Sequence, residues 1–317
     1  MSKCIIIGLF LLFIGQVTQA QKADTLIKKL DSLKQTHKDS ASGKKINVNA
    51  TAYNEQTKIT VPAYFVLLGT DFTQEVTGPF HSTKKTWGKV AGFAVIEGGL
   101  FLVDKPVQHY VTNLMGRNPN LKGLSHYVTN FGADYEIYTL AAFGVYGWVF
   151  KNQKMKTTTL LATQSYLVAG AVEALTKLVT GRQRPNYVIT ETDPRPMFRG
   201  PAFSVKHGST SFPSGHTTAA FAAATVFAQE YKDRLWVPIL SYSAASLIGL
   251  SRITENAHWA SDVFAGAALG YVTGLQVVRN YHRYAYLKNH TTPVARISWD
   301  VQFNYDHIEP ALILAFR

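Results

Sequence analysis

Between residues 87 and 278, apolar stretches rich in small residues alternate with short polar loops. Their length and composition predict helices over residues 90–103, 137–150, 157–179, 214–231, 235–252 and 261–278. Alanine and glycine are frequent within them, as in Ala219-Ala220-Phe221-Ala222-Ala223-Ala224. Small residues let helix axes approach closely, either in a bundle or in a membrane. The tail has a different period. Ile297, Trp299, Val301, Phe303 and Tyr305 alternate with Ser298, Asp300, Gln302, Asn304 and Asp306, the repeat of a half-buried strand. A turn-like segment at 306–310 and an apolar run at 311–316 complete a β-hairpin. That hairpin either packs on the helices or offers an edge to a partner or an outer-membrane element.

The front of the chain reads as an export signal. Lys3 supplies a positive start, residues 5–14 an apolar run, and Thr18-Gln19-Ala20 a cleavage-like site. The run is shorter than the roughly 20 residues a bilayer span needs. The one cysteine, Cys4, lies ahead of that run, so removing the signal leaves no disulfide and no thiolate chemistry. Residues 21–58 are polar. Leu26, Ile27, Leu30 and Leu33 suggest a short amphipathic helix there, and the Ser/Gly/Asn-rich residues 40–52 a linker. The expected organisation is a signal at 1–20, a polar segment at 21–58, a helical domain at 59–281 and an extension at 282–317.

With 317 residues, 46% of them hydrophobic and 16% charged, the chain can bury a sizeable core. A formal charge of +12 suits anionic partners such as lipid headgroups and phosphoesters. Nucleic acid is set aside, because the chain has neither a Lys/Arg-rich block nor zinc-finger spacing.

Three clusters carry candidate chemistry: residues 177–185, 212–216 and 251–262. Lys177, Arg184 and Arg252 supply a point charge and two guanidinium forks, a set suited to a tetrahedral dianion. Ser214 and Gly215 stand just before an apolar helix, where unpaired N–H groups bind anions and glycine admits an oxygen closely. His258 and Asp262 are four apart, which on a helix would let the carboxylate hold one ring N–H and free the other nitrogen for attack. His216 is left as the general acid, a role suited to an ordinary pKa near ~6.5. Each piece has a plain reading as well. Lys177 could pair with Glu173 one turn back, and a His–Asp pair at this spacing is often a surface contact.

Taken together, Lys177, Arg184-Pro185, Pro213-Ser214-Gly215-His216, Ser251-Arg252, His258 and Asp262 resemble the signature of the type 2 phosphatidic acid phosphatase (PAP2) superfamily, position by position. The resemblance spans residues 87–278. It implies an all-α, PAP2-type bundle of about six core helices, with the C-terminal hairpin outside the signature. It also implies a covalent phosphohistidine on His258, His216 as proton donor, and no metal or other cofactor. The expected substrate is a phosphorylated lipid or a small phosphoester. The function read from it is hydrolysis of a phosphomonoester or pyrophosphate, lipid-linked by preference, outside the cytoplasm. A soluble periplasmic acid phosphatase and a vanadium-dependent haloperoxidase, which uses the same pocket, are the alternatives.

Placement stays open between a bundle embedded in the inner membrane of a bacterial envelope and a soluble or peripheral periplasmic protein. Six spans after an exported N-terminus would put Arg184 and His216 in the cytoplasm. Glu97, Gln164 and Glu173 fall inside expected helices, and the mean hydropathy of -0.02 is low for six spans.

Overall fold

The computed structural model describes residues 55–81, 83–132, 134–186, 196–201, 210–290, 295–303 and 308–316. The expected signal, the amphipathic helix near Leu26 and the linker at 40–52 lie outside them. Eight α-helices occur among the described residues: α1 (Val61–Thr77), α2 (Lys84–Arg117), α3 (Pro119–Thr129), α4 (Asp134–Val149), α5 (Gln153–Thr180), α6 (Gly215–Glu230), α7 (Trp236–Thr254) and α8 (Ala260–His290). The fold is the expected all-α bundle. The six anticipated helices are present as α2 and α4–α8, while α1 and α3 had not been anticipated. Helix α2 runs well beyond 103, through Pro106, and α8 well beyond 278.

Described residues 59–281 form one compact unit; residues 55–58 with those from 282 onward belong to a second. In the first unit α6 is the central helix. Its Thr217–Ala220 and Ala222–Val226 are all buried. Leu140, Leu161, Ala162, Ala223, Val226, Val277 and Tyr281 pack α4, α5, α6 and α8 together. Ala220, Ala224, Ala245 and Ile248 close α6 on α7. On α8, Gly266 and Gly274 admit the α6 backbone: a Cβ there would stand 2.6 Å from the Ser214 carbonyl and 2.7 Å from that of Ala222. Between them Gly270 faces the Thr218 carbonyl still more closely.

Helix α2 is polar inward and apolar outward. Glu97, Asp104, Gln108 and Met115 are buried, while Val95 and Leu102 are 77% and 82% exposed. Gln164 and Glu173 are buried as well. The three residues that counted against a membrane bundle therefore face the interior.

In the second unit β1 (Ala295–Phe303) and β2 (Ile308–Phe316) form an antiparallel hairpin in register Ala295↔Phe316 to Phe303↔Ile308. The hairpin is as anticipated, although β2 starts at Ile308 rather than 311. Lys288 Nζ donates to the Lys58 carbonyl at 3.1 Å, and Asn289 Nδ2 to Glu55 Oε2 at 3.0 Å.

Candidate active site

The candidate residues meet where α5 ends and α6 and α8 begin. Helix α5 stops at Gly181, whose left-handed φ of 55° a side chain would strain, and its N–H returns to the Lys177 carbonyl at 3.0 Å. This turn holds Lys177 in the last turn and releases Arg182 and Arg184 into the loop. Arg184 Nη2 lies 3.5 Å from the Thr210 carbonyl.

Helix α6 starts at Gly215 after Ser214, whose N–H donates to the Asp262 carbonyl at 2.9 Å and ties the starts of α6 and α8 together. Ser214 Oγ accepts from Thr217 Oγ1 at 2.9 Å, which leaves the Ser214 hydroxyl hydrogen to point elsewhere. The amides of Gly215 and His216 are the first of the helix, with no carbonyl one turn back. A Cβ on Gly215 would sit 3.4 Å from Lys177 Nζ and 2.8 Å from Glu173 Oε1, so backbone and ammonium approach because this residue has no side chain. Lys177 is ion-paired with Glu173, the plain reading of that lysine, and stands beside the start of α6 at the same time.

Beyond α7 the chain folds back on itself. Asn256 takes φ 56°, and the amides of Ala257 and His258 both return to the Arg252 carbonyl, at 3.0 and 3.3 Å. Arg252 Nη1 donates to Glu255 Oε2 at 2.7 Å and Thr129 Oγ1 at 3.3 Å. The turn buries His258 ahead of α8, not on it, which corrects the one-helix-face expectation for His258 and Asp262.

The ring contacts differ as well. His258 Nδ1–H donates to the Ser211 carbonyl at 2.7 Å, while Asp262 Oδ2 stands 3.6 Å from the same nitrogen. A carbonyl can only accept, so it fixes the tautomer and leaves Nε2 with its lone pair. Asp262 supplies charge rather than the orienting bond. It accepts from Ser211 Oγ at 2.5 Å, from Trp259 N–H at 2.8 Å and from Arg182 Nη1 at 2.5 Å. Three donors around one carboxyl favour its ionised form.

Burial first, then the charge of Arg252 and of His258, Lys177 and Arg184, push the His216 pKa down to about 3. Burial pushes His258 down to about 4, against the pull of Asp262. The ordinary pKa anticipated for His216 therefore does not hold in the free protein. Both imidazoles are neutral at pH 7, inside a ring of three cations.

Beside the site, a groove of about 1000 Å³ runs between α4, α6 and α7, lined by apolar side chains including Phe131, Leu140, Phe143, Leu240 and Ile248. Gly132, next to Phe131, packs on His216; a Cβ there would stand 3.2 Å from His216 Cβ. Sequence reasoning missed Ser211, Arg182, Ser261 and Asp104. Arg182 was visible as a second arginine inside the Lys177–Arg184 spacing, whereas Asp104, far away in sequence, gave no signal. No group of three or more metal-ligating side chains occurs among the described residues.

The family profile described as PAP2 superfamily matches residues 158–286. The chain is 54% identical over 65 residues to a protein named Lipid A 1-phosphatase from Porphyromonas gingivalis, covering 20% of this chain and 15% of that one. It is 31% identical over 150 residues to Lipid phosphate phosphatase 1 of Arabidopsis thaliana, covering 41% of this chain and 46% of that one. It is 30% identical over 151 residues to Bacitracin transport permease protein BcrC of Bacillus licheniformis, covering 47% of this chain and 68% of that one. The chain thus spans less than half the length of the first two relatives and about two thirds of the third. By this profile match and these identities, the chain belongs to the PAP2 superfamily.

Proposed function

We propose that this protein is a membrane-associated phosphatase that removes phosphate from a lipid-linked phosphomonoester or pyrophosphate through a phosphohistidine on His258, on the extracytoplasmic side. The observation that carries the reading is His258 itself, with Nδ1–H spent on the Ser211 carbonyl and Nε2 left to attack amid Lys177, Arg184 and Arg252. Those three cations, with the Ser214 hydroxyl and the amides of Gly215 and His216, hold the phosphoryl oxygens. Nε2 forms a bond to phosphorus as the bond to the leaving oxygen breaks, and His216 gives that oxygen its proton. His216 then takes a proton from water, whose oxygen attacks phosphorus. The N–P bond breaks and inorganic phosphate leaves.

A lipid substrate is favoured by the apolar groove lined by Phe131 and Ile248, next to Gly132 which packs on His216, and by the names of the relatives. Membrane association is favoured by the outward apolar face of α2 and by α8. Among the described residues one helix, over Ala260–Asn289, is long and apolar enough to cross a bilayer.

The test is phosphate release by wild type and His258→Ala on phosphatidic acid, undecaprenyl pyrophosphate, lipid A and p-nitrophenyl phosphate, with trapping of the phosphorylated enzyme. Lipid turnover that falls at least about 10³-fold in the variant, with loss of the covalent species, is expected. Full activity in His258→Ala would end the mechanism. Turnover of p-nitrophenyl phosphate alone would end the lipid assignment.

A further inference from the structure

Behind the histidine, Arg182 is fully buried between two carboxylates. Its Nη1 donates to Asp262 Oδ1 at 2.5 Å and to Ser261 Oγ at 2.6 Å, and its Nη2 to Asp104 Oδ2 at 2.6 Å. The guanidinium lies 4.8 Å from the ring centre of Phe101 and 4.9 Å from that of Phe198. Asp104, from the middle of α2, is equally committed. Its Oδ1 accepts the Ser261 N–H at 3.0 Å and its Oδ2 the Ser261 hydroxyl at 2.5 Å, on the first turn of α8. Asp262 in turn reaches back to the Trp259 N–H at 2.8 Å. The start of α8 is therefore capped by two carboxylates, one of its own and one from α2.

We propose that Arg182 and Asp104 are positioning residues for the phosphoryl transfer, Arg182 fixing Asp262 behind His258 and Asp104 offsetting the charge of Arg182 so that His258 still feels Asp262. The proposal rests on the phosphohistidine reading above. With both terminal nitrogens on carboxylates and its side chain fully buried, Arg182 is not placed to take a phosphate, unlike Arg184 two residues on. Its effect must pass through Asp262. Charge counting gives the role of Asp104. Arg182 and Asp262 alone sum to zero, so the imidazole would gain positive charge beside a neutral pair. With Asp104 the cluster carries one net negative charge, which favours the cationic imidazole that attack creates. A buried pair of charges is costly to desolvate and is weak evidence of stability by itself, so a role in the reaction accounts better for three charges placed here. Asp104 lies outside residues 158–286, which match the family profile.

The groups facing His258 are Asp262 of α8, Lys177 of α5, Arg184 of the following loop and His216 of α6; Arg252 of α7 faces His216, and Glu97 of α2 faces Arg182, Asp104 and Asp262. None of these six carries the opposed pair of effects expected of Asp104 and Arg182. Asp104→Asn removes a negative charge, so the His258 titration, and the limb of kcat/KM that follows it, moves to lower pH. Arg182→Gln removes a positive charge, and the limb moves to higher pH. Each shift is about one pH unit, the size of one charge acting across several ångströms of protein. The double variant restores the net charge and returns the limb toward wild type. In Asp104→Asn kcat falls about 10- to 100-fold, the range lost when the outer partner of an oriented histidine is removed in metal sites. KM stays within about twofold, since no phosphate ligand is touched.

The measurement is the pH profile of the three variants in the full chain, beside the acid titration of His258 by NMR on histidine-labelled protein without substrate. Opposite shifts that cancel in the double variant support the proposal. Unmoved limbs, or shifts of the same sign, overturn it. If Arg182→Gln alone does not fold, the Asp104→Asn limb below that of wild type and of the double variant is the expected order, and equality overturns it. If wild type forms no phosphohistidine, the reaction reading fails, while the NMR titration still decides the positioning by the same order.

Discussion

At the scale of single residues the structure separates orientation from charge. A backbone carbonyl fixes the His258 tautomer and Asp262 supplies the field, so the two roles can be probed independently. The low pKa of His216 also has a consequence. Near pH 7 it is neutral, yet the proposed donor must carry a proton. A bound phosphate dianion favours the imidazolium and raises its pKa, so anion binding should take up a proton. Calorimetry of vanadate or phosphate binding at pH 7, in buffers of different ionisation heat, should show uptake of up to one proton that is lost in His216→Gln. Equal heats after buffer correction in wild type would count against His216 as the donor. Burial of neutral His258 adds a dependence of opposite origin. The unfolded chain binds a proton near the ordinary ~6.5 and the folded chain only near 4, so stability is lost as pH falls through that window. The loss is about 3 kcal/mol, from 1.36 kcal/mol per pH unit, and the melting temperature should fall between pH 6.5 and 4.

At the scale of elements, α6 and α8 hold the site through contact at Gly266, Gly270 and Gly274. Gly270→Leu should push the α8 backbone from the Thr218 carbonyl and cost about 1–3 kcal/mol, the usual range for overpacking. It should lower kcat at the same time, because Ser214 is tied to Asp262 across this seam. Gly92→Ala, on α2 with open space around it, should leave activity unchanged and raise stability by up to about 1 kcal/mol. An equal loss in both would show that the seam is not special. Helix limits were legible where the residues were small or apolar, as in α6. They were not legible in α2, where Asp104, Lys105, Pro106 and Gln108 interrupt the apolar pattern. The helix continues there because Asp104 is buried with partners the sequence places 78 and 157 residues away. Helix α1 escaped notice for a related reason. Its buried Asp71 takes hydrogen bonds from Asn280 at 2.5 Å and from Gln164, so a polar face looks inward.

At the scale of the whole molecule, the exposed apolar surface and the buried carboxyls support the membrane association proposed above. Residues such as Trp148 and Ile239 stand open on α4 and α7. The protein should therefore stay in the membrane pellet after alkaline carbonate washing and require detergent for release. Release by carbonate would favour a peripheral placement, with the +12 charge on anionic headgroups.

The sequence by itself named the candidates of the signature, Lys177, Arg184, Ser214, Gly215, His216, Arg252, His258 and Asp262, because local rules put cations, a helix start and a turn at fixed spacings within each cluster; bringing the three clusters together was the work of the fold. It determined the Ala-rich central helix and the terminal hairpin for the same reason, since periods of 3.6 and 2 are local properties. Only the tertiary structure decided what lies behind the histidine. The Ser211 carbonyl, the Arg182 fork and Asp104 reach it across long sequence separations, and hydrogen-bond partners chosen by packing leave no periodic trace in a chain. It also decided which way each helix faces. A carboxyl reads as a surface residue in sequence and becomes an interior one only where the fold brings a donor to it.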